Sequence, residues 1–215
     1  MSAAMAFRII TLAALPAAAL GLAYVRYKKS ASSEPFLTWW PARLITLVKQ
    51  KRGQGLRDWN QQHLVRPNPP RQRWIFLGLV LSFLYLALSG FVFALFFTGP
   101  LSGIFLMAHV SLGGLFAVCL ALAVVIRARV YDFGDESDPR GAQDGRLLFV
   151  TRLLFWVFAG SGLLLIVTAL LMMLPWLAQP GHARILDLHR YSALISVLSA
   201  SAFAVLNLDT PGGMD

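Results

Sequence analysis

Four apolar runs constrain this chain more than any other feature: Trp74–Phe97, Leu101–Arg127, Leu147–Leu177 and Gly181–Leu208. Each is longer than the ~20 residues a helix needs to cross a hydrocarbon core ~30 Å thick. None alternates polar and apolar residues with a period of two, as a membrane strand would. The chain therefore reads as an all-α integral membrane protein. Composition agrees: 57% of the 215 residues are hydrophobic and only 13% are charged, against about 25% charged in soluble domains.

A fifth run, Phe7–Val25, is shorter, rich in alanine and interrupted by Pro16. A cleaved secretory leader is one reading, because small residues near Ala23 would suit a peptidase. The other is an uncleaved transmembrane helix with its N-terminus outside. Arg26, Lys28 and Lys29 follow at once and resist translocation, so residues 1–29 are expected to be that helix.

The net charge of +9 would suggest nucleic acid in a soluble protein. Here the cations flank apolar runs, so they are expected to set topology and touch lipid headgroups rather than nucleic acid. Residues 30–73 are the most basic part and should be cytoplasmic. Within them FLTWWPARLITLVKQKR reads either as an interfacial helix or as a loop packed on a further membrane subunit. Pro67, Pro69 and Pro70 stop any helix before the next span.

The links Thr98–Pro100 and Ala178–Pro180 lack basic residues and belong outside, whereas Ala128–Arg146, edged by Arg127, Arg129 and Arg146, belongs inside. The acidic residues Asp132, Asp135, Glu136 and Asp138 do not have calcium-loop spacing and read as a solvated loop. The expectation is an up-down four-helix transmembrane bundle over residues 74–208, one extra N-terminal helix, and a cytoplasmic C-terminal tail at 209–215.

No phosphate-binding loop, nucleophile elbow or carboxylate pair lies in the spans, so no catalytic site is expected within this chain. The lone cysteine, Cys119, rules out an intrachain disulfide, a Cys-ligated cluster and a c-type haem attachment pair.

The histidines carry the chemistry. His109, His182 and His189 lie within spans and His63 in the cytoplasmic segment. Ionisable groups inside a membrane are costly and are functional candidates by default. His109 comes eight residues after Leu101, and His189 eight after Gly181. Both therefore sit ~12 Å along from the outer end, on helices that run in the same direction. Two imidazoles at one level across a bundle is what a bis-histidine b-type haem requires. Gly113, one turn below His109, would let a flat macrocycle approach the backbone. The bland alternative is a pair of unrelated histidines satisfied by hydrogen bonds between helices. His182, ~10 Å nearer the outer surface, could bind a propionate, line a quinone entrance or sit in the interface. Arg184 and Arg190 could pair with propionates or snorkel to headgroups.

The runs SFLYLALSG at Ser82–Gly90, AHVSLGGLFAV at Ala108–Val118, LLFWVFAGSGLLLIVTALLMMLP at Leu153–Pro175 and LHRYSALI at Leu188–Ile195 together resemble the prokaryotic di-haem cytochrome b family. That family includes gamma subunits of respiratory formate dehydrogenases and related hydrogenase cytochromes. The similarity covers about Arg71–Leu208. It implies the bacterial inner (cytoplasmic) membrane, axial ligands at His109 and His189 for an outer haem, and a periplasmic iron–sulfur or cytochrome redox partner. The family's inner-haem ligands fall on Phe76 and Phe203. The resemblance therefore implies one haem b rather than two, with apolar rings helping to fill the vacated space, and it leaves quinone binding open. The rival expectation is a haemless structural anchor descended from such a cytochrome.

Overall fold

The computed structural model describes residues 3–29, 70–97, 101–133, 141–174 and 179–208. Five helices follow one another: α1 (Ala3–Lys29), α2 (Pro70–Phe96), α3 (Gly103–Arg127), α4 (Gly141–Met172) and α5 (Gln179–Leu208). Each is long and apolar enough to cross a membrane, and among the described residues there is no strand. The chain is an all-helical, multi-pass membrane protein. The interfacial segment with Trp39 and Trp40, His63, Asp135, Glu136 and Asp138 lie outside the described residues.

Local sequence explains the helix boundaries. Pro70 opens α2, where a missing N–H costs nothing because the first amides of a helix have no intrahelical partner. Gly103 opens α3 with φ +59°, a left-handed conformation that side chains other than glycine's resist. Pro16 lies inside α1 and does not end it. Within a membrane the helix is the only open-ended way to pair backbone groups, so a proline bends or loosens it more readily than it breaks it.

The surface is apolar and much of the interior polar, the reverse of a water-soluble protein. Trp74, Leu88, Ile104, Met107 and Val125 are exposed, while Ser82, Ser161, Thr168, Ser192, Ser196 and Ser199 are buried. Lipid tails solvate leucine as well as another helix does, so association depends on close packing and hydrogen bonds, which small residues permit. Ser196 Oγ donates to Ser161 Oγ at 2.8 Å between α5 and α4.

The hairpins are antiparallel. Gly78 meets Cys119, Ser89 meets His109 and Phe93 meets Phe105, so contacts step forward along α2 as they step back along α3. Ser161 with Ser196 and Thr168 with His189 do the same for α4 and α5. The two hairpins join where α3 packs on α4.

The first helix is more than an addition to a closed bundle. It packs against both α5 and α2, whereas α2 and α5 share no extended contact among the described residues. Phe7, only 2% exposed, stacks on Phe91 of α2 at 6.3 Å and meets Tyr191 of α5 edge-on at 5.4 Å. Arg8 donates from Nε to the Ala94 carbonyl at 2.9 Å and from its terminal nitrogen to the Phe97 carbonyl at 2.7 Å. These carbonyls lie at the C-terminal end of α2, where intrahelical donors run out and the dipole favours a cation.

Candidate functional site

His109 stands on α3 and His189 on α5, both toward the end of the bundle where α2 gives way to α3 and α4 to α5. Hairpin packing explains how each is held. His109 Nδ1 lies 2.8 Å from Ser89 Oγ on α2. His189 Nδ1 lies 2.8 Å from Thr168 Oγ1 on α4. Each hairpin thus carries a hydroxyl on its first helix and an imidazole on its second, at the same level.

The hydroxyl's one proton decides the tautomer. Ser89 Oγ donates to the Tyr85 carbonyl at 2.8 Å, and Thr168 Oγ1 to the Leu164 carbonyl at 2.8 Å, each one turn back on its own helix. A hydroxyl has a single donor, so toward the imidazole it accepts. With the hydroxyl proton on that carbonyl, Nδ1–H is the matching donor, and each Nε2 then presents a lone pair.

The two Nε2 atoms make no hydrogen bond among the described residues. Nor are they sealed in: the one fully enclosed side-chain polar atom without a partner there is Thr11 Oγ1. The helices that carry the imidazoles, α3 and α5, share no extended contact among the described residues. Two bare imidazole nitrogens on helices that stand apart form a donor pair suited to borderline metals such as iron, zinc or copper. Among the described residues no cluster of three or more His, Cys, Asp or Glu could hold an ion. A structural zinc, which takes four protein ligands, is not assembled there.

The remaining expected site residues fall in several places. A Cβ at Gly113 would meet nothing within 4 Å, so the backbone below His109 is open. Gly90, which the sequence did not single out, abuts His109: a Cβ there would lie 3.6 Å from Cε1 of the ring. Arg190 bridges to Asp187 at 3.3 Å and lies 6.0 Å from the centre of the Phe7 ring. These partners turn it toward α1, and a propionate would compete with Asp187 for it. His182 is half-buried, and Arg184 is exposed.

The opposite half of the bundle is filled. Leu79, Phe116, Cys119, Leu120 and Ala123 form its core, with Phe76, Phe83 and Phe158 packed against them. Phe83 meets Phe116 at 5.8 Å and Phe158 edge-on at 5.3 Å. The Arg127 guanidinium lies 5.2 Å from the Phe76 ring centre. Phe203 meets Tyr131 edge-on at 5.7 Å, and Tyr131 stacks on Phe155 at 4.4 Å. Phe76 and Phe203 are thus engaged in packing and offer no metal ligand.

No known protein family, curated protein or solved structure matches the chain.

Proposed function

We propose that this chain is the membrane-anchoring cytochrome b subunit of a larger redox complex, with one haem b held between His109 and His189. The observation that carries the reading is the matched pair of imidazoles. Each is fixed through Nδ1 by its hairpin partner, and each leaves Nε2 without a hydrogen bond among the described residues. Haem would supply a one-electron couple. The protein's part is to hold its iron from two sides, exclude water from it and present its edge near one face of the membrane. Gly113 leaves room beside the macrocycle, and His182 and Arg190 lie toward the end where propionates would reach headgroup depth.

In this reading the protein sits in a bacterial inner membrane with its C-terminus in the cytoplasm and the histidine pair near the periplasmic side. Apolar packing in the opposite half fits a reading with one redox centre, ~12 Å from one face by residue count. One such centre does not span a ~30 Å core. Electrons would enter and leave on the same side, exchanged with a periplasmic iron–sulfur or cytochrome subunit or with quinone there, or pass to a haem in a neighbouring membrane subunit.

The test is the reduced-minus-oxidised visible spectrum with a pyridine haemochrome assay on the assembled protein, in wild type, His109→Ala and His189→Ala. One haem b per chain, lost in both variants, is the expected result. Two haems would overturn the single-site reading. No haem in a folded, fully assembled preparation would overturn the cytochrome and leave a structural anchor.

A further inference from the structure

We infer that Ser89 and Thr168 are positioning residues that hold both imidazoles in the iron-binding tautomer and raise their donor strength; this rests on the proposed haem site. Neither residue needs to touch the cofactor. The geometry is the same in both hairpins: a hydroxyl anchored to the carbonyl one turn back, 2.8 Å from Nδ1 of a histidine on the next helix. The sequence separations are 20 and 21 residues. Two chemically different residues, on two helices without internal repetition, arrive at one arrangement.

A ligating imidazole that donates its other N–H is a more basic ligand and is fixed in ring orientation. More basic axial ligands favour ferric over ferrous iron. A neutral hydroxyl acceptor does this more weakly than a carboxylate would, because hydrogen bonds to ionised acceptors are roughly twice as strong. A neutral acceptor also avoids burying a charge in the bilayer. Since both rings have the same kind of partner, the two axial bonds should be nearly equivalent.

Two measurements on the full chain test this. The first needs no cofactor: nitrogen NMR of histidine-labelled, haem-free protein in bilayers. Wild type should show protonated Nδ1 and bare Nε2 at His109 and His189. Ser89→Ala should scramble the tautomer at His109 alone, and Thr168→Val at His189 alone. The second uses the haem-loaded protein. Each variant should bind haem about 10- to 100-fold more weakly and show a higher midpoint potential. Ser89→Thr and Thr168→Ser, which keep the hydroxyl, should restore both properties. Variants with unchanged tautomers, affinity and potential would overturn the inference while leaving the haem site standing. A wild-type chain that takes no haem would instead overturn the cytochrome reading. In that case the haem-free NMR would still report whether the hydroxyls set the tautomers.

Discussion

Gly162→Ala sets two effects of opposite sign against each other. An alanine in a helix is ordinarily favoured over glycine by about 1 kcal/mol. At Gly162, however, a Cβ would lie 2.6 Å from Leu120 Cδ2 and 3.4 Å from Phe116 Cζ. Carbon atoms rest ~3.5–4.0 Å apart, so Leu120 must move by about 1 Å. It has little room, being 4% exposed and set beside Phe116 at 2%. Overpacking of this kind costs about 1–3 kcal/mol, so the clash should win by ~1 kcal/mol, the middle of the net range. Leu120→Ala on its own empties a cavity and destabilises, yet in the double variant it removes the clash. The pair should therefore be more stable than the sum of the singles by ~1–2 kcal/mol.

Cys119, the chain's one cysteine, is buried next to Leu120 on α3 and faces Gly78 of α2, so it reports loosening of α3 within the bundle. Its labelling by a membrane-permeant maleimide should accelerate ~5-fold or more in Gly162→Ala and fall back toward the Leu120→Ala rate in the double variant. Labelling of Gly162→Ala no faster than wild type, with no coupling to Leu120, would refute the close α3–α4 packing.

Two further outcomes are expected. Arg8→Met removes two charge-assisted bonds to the end of α2 and should cost about 1–3 kcal/mol, nearer the lower figure because the bond to Phe97 is exposed. Arg8→Lys should recover part of this in a denaturation titration of the protein in bicelles. At Tyr131, burial holds the phenol above the ordinary tyrosine range, with Arg127 pulling the other way. Its raised folded pKa means that its contribution to stability is complete below pH ~10 and is lost as pH rises through the folded value. Unfolding measured across this range, alongside tyrosinate absorbance, should show a steeper alkaline loss in wild type than in Tyr131→Phe.

The spans were legible because hydropathy and length are one-dimensional properties of the chain. Trp74–Phe97 as read from sequence became Pro70–Phe96, and Leu101–Arg127 became Gly103–Arg127. That His109 and His189 each come eight residues into their spans could be counted from the sequence, since helical rise converts residue counts to depth. Rotation about the helix axis was harder to read. In an all-apolar span no polar face marks the interior, so Ser89 and Thr168 did not stand out from the other hydroxyl residues. Counting depth for every Ser and Thr on the neighbouring helices would have brought both to the level of the histidines. The place of α1 was also hidden, because hydropathy identifies a span without naming its neighbours. Arg8 was the available clue: a cation within an apolar run needs a partner, here the carbonyl end of α2.

The position of α1 between α2 and α5 also orders events in time. Phe7 is made 184 residues before its contact Tyr191. At ~5–20 residues per second, roughly 10–40 s separate the two. During that interval α1 waits in the membrane beside α2, held by Arg8, with its buried face unmatched. The helix that ends the wait also delivers His189. Closure of the bundle and completion of the histidine pair are therefore one event, and a cofactor arriving earlier would find a single imidazole.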